Sequence, residues 1–155
     1  MSARDINEEC LCFGWIDSKP GKIDEQRTAL LCTPRRPGSG WSKVNKDRLK
    51  GLLERGLVLQ PGLDVIERAK ADGSWAALDE VDALIVPLDL QSALEALPPA
   101  SENFAGFPPS ARRGILEWIT NAKRPETRAE RVSKTASLAQ QNLRALAWKP
   151  PSSDD

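Results

Sequence analysis

Glycine and proline set the length of every element this chain can form. Pro34, Pro37, Gly38 and Gly40 crowd residues 33–40 so closely that no regular structure is expected there. Gly14, Gly56 and Gly73 stand where helices close, and Pro61 and Pro125 where helices open. Pro98-Pro99 and Pro108-Pro109 bracket a loop holding Phe104 and Phe107. Only short elements fit between these marks, and no stretch approaches the roughly 20 apolar residues of a membrane-spanning helix.

Hydrophobic spacing fills the intervals. Residues 4–13 read as a helix, and Ile23 to Cys32 as a strand whose buried part is Ala29-Leu30-Leu31-Cys32. A helix from Trp41 or Ser42 to Arg55 places Trp41, Val44, Leu49, Leu52 and Leu53 on one side. Asn45 and Arg48 project onto that same side, and polar groups turned inward need partners. A second helix opens at Pro61 and ends before Gly73. Leu84-Ile85-Val86 reads as a short strand stopping at Pro87, with Asp89 capping a brief helix to Leu97. Residues 110–122 carry the stripe Ala111, Ile115, Trp118, Ile119 and Ala122. The last helix, from Pro125, carries Val132, Ala136, Ala139, Leu143 and Leu146. The expected fold class is α+β: a small antiparallel sheet packed by about five α-helices, with a helix-rich C-terminal half. One domain is expected over 1–148 and a disordered tail over 149–155.

Composition removes whole classes of chemistry. The 155 residues include five Trp and three Phe but no Tyr and no His. Without His there is no Ser-His-Asp or Cys-His nucleophile activation, no His-liganded zinc and no histidine base. Cys10, Cys12 and Cys32 are odd in number and lack zinc-ligand spacing, so they read as small buried or half-buried thiols of a reducing compartment. No metal and no cofactor are expected. The start, Met1-Ser2-Ala3-Arg4-Asp5, has no signal-peptide core, and the expected location is the cytoplasm.

Net charge is zero, yet the charges are sorted: +5 over residues 33–50, −7 over 51–102 and +4 over 103–155. Either a basic face results, or the acidic and basic segments neutralise each other.

Three groups are candidate sites. Arg35, Arg36, Ser39, Trp41, Ser42 and Asn45 lie on a loop feeding a helix N-terminus, where backbone N–H groups and guanidinium groups suit an anion. The same residues also suit pure scaffolding, with Ser39 capping the helix, Trp41 in the core and Asn45 tying the loop. Trp15 and Asp17 follow a helix end, where Asp17 either faces a pocket or forms an Asx turn with Ser18 and Lys19. Arg128 lies either on a solvated helix start or in one polar cluster with Asp17 or Asn45.

In order along the chain, Leu11–Asp17 (LCFGWID), Thr33–Asn45, Ala69–Trp75, Val86–Leu90, Pro108–Arg112 and Ala122–Arg128 resemble the YdeI/OmpD-associated, or bacteriocin-protection, family. The resemblance differs at two places. Family members carry a further upstream stretch with strands, whereas only ten residues precede Leu11 here, so the sheet edge is expected to be incomplete or supplied by another chain. The strand after Asp17 is more apolar than the family's. The family name implies protection against bacteriocins or cationic antimicrobial peptides, linked to a porin and the envelope, and implies no reaction for named residues.

The expected function is therefore a non-enzymatic factor that binds a protein or a small anionic ligand in envelope or peptide stress. A nucleic-acid binder using Arg35, Arg36, Lys43, Lys46 and Lys50, with Trp41 for stacking, is the alternative. A His-free enzyme with Asp17 as base and Arg35 or Arg128 as anion stabiliser is the third reading. A homo-oligomer through the shortened edge is allowed.

Overall fold

The computed structural model describes residues 2–147, so the tail expected over 149–155 lies outside the described residues. Inside the span read as one domain, these residues group into two compact units, up to residue 79 and from residue 80 onward.

The first unit opens with helix α1, Ala3–Cys12. Ser2 caps it: its hydroxyl accepts from the Asp5 N–H at 3.2 Å, and the Asp5 carboxylate accepts from the Ser2 N–H at 2.7 Å. The helix stops at Phe13 because Gly14 follows at φ +72°, a left-handed turn that costs a side-chain-bearing residue dearly. The turn delivers the chain into strand β1, Trp15–Lys22, which pairs antiparallel with β2, Thr28–Pro34. Trp15 lies opposite Pro34 and Asp17 opposite Cys32, and the register slips between Asp17 and Pro20.

This ribbon corrects the expected strand over Ile23–Cys32. Residues 23–27 reverse the chain instead, where the Asp24 carboxylate accepts the N–H groups of Gln26 and Arg27. Nor is Ala29-Leu30-Leu31-Cys32 a buried run, for Ala29 and Leu31 are exposed. Trp15 and Asp17 belong to a strand rather than a turn.

Helix α2, Lys43–Glu54, starts where Ser42 accepts from the Asn45 N–H at 3.3 Å. Trp41, Leu49 and Leu52 are buried as expected, but Val44 and Leu53 are exposed. Nine residues apart at about 100° each, these two sit half a circle from one another, at opposite edges of the apolar arc. Helix α3, Gln60–Asp72, carries Pro61 in its first turn and closes at Gly73. Leu11, Cys12, Trp41, Leu49, Leu52, Ile66 and Ala69 form the core of this unit.

After the short α4, Asp79–Asp82, the second unit is helical: α5 Leu88–Glu95, α6 Ala100–Gly106, α7 Pro109–Thr120 and α8 Pro125–Gln140. The described residues thus hold two strands and eight helices, an α+β chain whose C-terminal half is helix-rich.

Four expectations are corrected in this unit. Leu84-Ile85-Val86 is not a strand: Leu84 takes φ +57°, outside the extended region. Pro87, not Asp89, occupies the cap position of α5. The loop drawn around Phe104 and Phe107 contains α6, with Pro99 at its start, and the two rings meet edge-on at 5.9 Å. Helix α8 stops at Gln140, before Asn142 at φ +58°, so Leu143 and Leu146 leave the stripe and are about half exposed.

Candidate functional site

The loop between β2 and α2 turns its first arginine inward. Arg35 is only 4% exposed, its backbone N–H donates to the Gly14 carbonyl at 3.1 Å, and its Nη1 donates to the Gly40 carbonyl at 2.9 Å. Its guanidinium carbon sits 3.7 Å from the centroid of the buried Trp41 ring, a cation–π stack inside the core. Trp41 in turn meets Trp75 at 5.1 Å. Two donors of Arg35, Nε and Nη2, are buried and bonded to nothing, as is Trp41 Nε1. Burial pushes the Arg35 pKa down to about 10, against a smaller upward pull from Asp17.

Arg35 lines a small cavity of about 10 Å³ together with Arg36, Ser39, Trp41, Arg68, Asp72 and Ser74. The Asp72 carboxylate accepts from the Ser74 N–H at 2.8 Å and the Gly38 N–H at 3.3 Å. These bonds, Ser74 foremost, hold Asp72 below the usual carboxylate range. Arg36 is exposed, and its carbonyl accepts the Ser39 hydroxyl at 2.7 Å. Ser39 therefore does not cap α2; Ser42 does.

A second polar group forms around Asn7, which is 5% exposed. Its Nδ2 donates to the Asp17 carboxylate at 2.7 Å and to Asn45 Oδ1 at 3.3 Å, while its Oδ1 accepts from Arg48 Nη1. The inward projection of Asn45 and Arg48 is thus met by a partner that sequence spacing did not disclose. Asn7 lies three and four residues ahead of the buried Cys10 and Leu11, on the same helix face, and that spacing was the available signal. Arg68, Asp72 and Trp75 were also missed, because the loop reaches them only through the fold.

Arg128 joins neither Asp17 nor Asn45. It forms a two-pronged pair with Asp89, Nε to Oδ2 at 2.6 Å and Nη2 to Oδ1 at 3.0 Å. The pair sits in a groove of about 470 Å³ whose wall includes Ala93, Leu97, Val132 and Ala136. Trp15 is 42% exposed beside Phe13, Glu9 and Cys10.

Of the two readings of the sorted charge, neutralisation is the one these bonds follow. Lys46 pairs with Asp79, Arg113 with Asp82 and Arg128 with Asp89, each joining a basic segment to the acidic one. Lys43 pairs with Asp47. Trp41, at 1% exposure, faces the core and offers no surface on which a base can stack.

Among the described residues no three Cys, Asp or Glu side chains gather as a metal group, and no helix is long and apolar enough to cross a membrane. Cys10 and Cys12 are buried free thiols, and Cys32 is half-buried. Burial, then the adjacent Cys32 thiol, pushes Cys10 up to about 12. What the arrangement supplies is a fixed, desolvated guanidinium with two unused donors in a cationic wall, suited to holding an anion.

Two family models match the chain. One, described as Bacteriocin-protection, YdeI or OmpD-Associated, matches residues 83–142; the other, Domain of unknown function (DUF8412), matches residues 1–65. The blocks Val86–Leu90, Pro108–Arg112 and Ala122–Arg128 fall within the first match. Leu11–Asp17 and Thr33–Asn45, with the Arg35 and Asn7 groups, fall within the second, and Ala69–Trp75 lies between them. No curated protein and no solved structure matches the chain.

Proposed function

We propose, because residues 83–142 match the bacteriocin-protection, YdeI or OmpD-associated family model, that this protein is a non-enzymatic binding factor in bacteriocin and cationic-peptide stress. Its ligand is a small anion held at Arg35, and its place of action is the cytoplasm. The observation that carries the binding part is the buried Arg35 guanidinium, anchored through Nη1 and stacked on Trp41 while Nε and Nη2 stay unused. A charge desolvated this far is costly unless something compensates it. The family description supplies the link to peptide stress.

The test is a strain lacking this gene, challenged with a cationic antimicrobial peptide and a bacteriocin beside its complemented parent. The reading expects at least a several-fold fall in the inhibitory concentration, restored by the wild-type gene and not by R35A. Unchanged susceptibility to both agents overturns the stress role.

A further inference from the structure

We propose that Cys10 and Cys32 are a redox modification site, a thiol pair that hydrogen peroxide converts to a reversible disulfide joining α1 to β2. Neither residue lines the Arg35 cavity, and the anion-binding reading above can fail without touching this one.

Strand register places the pair. Asp17 and Cys32 lie directly opposite in the antiparallel ribbon, so their side chains project from the same face. That face is turned to α1, because the Asp17 carboxylate accepts from Asn7 at 2.7 Å. Cys10 follows Asn7 by three residues, on the same side of the helix, and is 7% exposed. Half-buried Cys32 therefore faces the helix side that carries Cys10, and the two thiols are hydrogen-bonded to each other. Alternation along β2 agrees: Leu30 and Cys32 are half-buried, while Ala29 and Leu31 are exposed.

Helix geometry excludes the third thiol. Cys12 sits two residues from Cys10, where side chains do not face each other, and it packs in the core with Leu52 and Ile66. Cys10 instead borders an open hollow of about 310 Å³ with Glu9, Phe13 and Trp15, ample for a molecule as small as hydrogen peroxide.

The Cys32 thiolate attacks one peroxide oxygen, the O–O bond breaks, and the hydroxide released takes a proton and leaves as water. The Cys10 sulfur then attacks the resulting Cys32 sulfenic acid. The S–S bond forms, the S–O bond breaks, and the departing hydroxide takes the Cys10 proton as a second water. Two thiols thus lose two electrons and two protons, and one peroxide becomes two waters. A dithiol reductant reverses the change by thiol–disulfide exchange and is itself oxidised to a disulfide.

The experiment exposes the reduced full chain in native buffer to a small excess of hydrogen peroxide, blocks the remaining thiols with iodoacetamide in urea, and maps peptides without reduction. One linkage should form, Cys10 to Cys32 within a monomer, with Cys12 recovered as an alkylated thiol and the link removed by dithiothreitol. C12S should link as the wild type does. C10S should lose the link and accumulate several-fold more Cys32 sulfenic acid, read by dimedone labelling. A Cys10–Cys12 link, a Cys32–Cys32 dimer, Cys32 oxidised beyond sulfenic acid without a link, or three unchanged thiols overturns the proposal. Linkage that forms equally fast when peroxide is added in urea reflects chance encounter rather than the native pairing, and also overturns it. If C10S does not fold, the wild-type map and C12S decide.

Discussion

The carboxamide of Asn7 donates to the carboxylate of Asp17 at 2.7 Å, tying α1 to the third residue of β1. The other bonds of that carboxamide run to Asn45 and Arg48 on α2, so one buried side chain couples three elements. Interactions of this kind are strong mainly because each partner becomes expensive once abandoned.

N7A should therefore destabilise the protein by about 2–3 kcal/mol, since it strands Asp17, Asn45 and Arg48 together. Urea unfolding followed by tryptophan fluorescence measures this directly. A loss below about 0.5 kcal/mol would mean that water replaces the carboxamide without penalty.

Two glycines should respond oppositely to alanine. A Cβ at Gly62 would lie 2.5 Å from the Cys12 carbonyl oxygen and 2.9 Å from Val58, and the backbone atom cannot retreat without separating α1 from α3. G62A should cost at least about 2 kcal/mol. A Cβ at Gly51 meets nothing within 4 Å inside α2, so G51A should gain roughly 0.5–1 kcal/mol from helix propensity. Denaturation midpoints that move in the same direction would contradict this packing.

Acid should weaken the second unit through Asp89. The hydrogen bond from Arg128 holds its pKa below the ordinary 3.8. A carboxylate depressed in the folded state contributes fully above the unfolded value, and that contribution fades as pH falls through the folded one. Their side chains are 44% and 33% exposed, so solvent screens the pair and D89N should cost only about 0.5 kcal/mol at pH 7. Stability measured between pH 6 and 2.5 should show a shallower acid decline in D89N. Identical declines would exclude the pair as a source of acid sensitivity.

The three thiols should alkylate at different rates. Burial raises the pKa of Cys10 to about 12 and also lifts that of Cys12, while Cys32 is half-buried. Because the thiolate is the reacting form, Cys32 should react with iodoacetamide at pH 8 at least roughly ten times faster than the others. Peptide mass spectrometry of the native protein reads the order, and comparable rates at all three positions would refute the burial described.

Where local rules govern, the sequence was a good guide. Gly14, Gly73 and Pro61 mark real helix ends, because backbone dihedral limits act whatever the surroundings. The inward projection of Asn45 and Arg48 was legible from helical geometry alone. Their partner was not, since Asn7 is 38 and 41 residues away and local spacing carries no record of such a meeting. Leu84-Ile85-Val86 misled because β-branched apolar residues favour a strand only where a neighbouring strand exists to pair with. The site was half visible: Arg35 and Trp41 were singled out, but that one arginine would be buried while Arg36 stayed in solvent depends on how Gly14 and Gly40 receive it.

The slip between Asp17 and Pro20 has a consequence for solubility. A lone two-stranded ribbon is all rim, open to recruitment by any extended chain that drifts past. Along β1 that rim is blunted: Pro20 has no N–H to offer, the ladder is irregular beside it, and Lys19 and Lys22 place charge on either side. Thr28 to Leu31 on β2 carry no charge and no proline, so a foreign strand meets least resistance there. Crowded or concentrated solutions should therefore find this molecule stickiest along β2, and a lysine at exposed Leu31 is the natural place to quiet it.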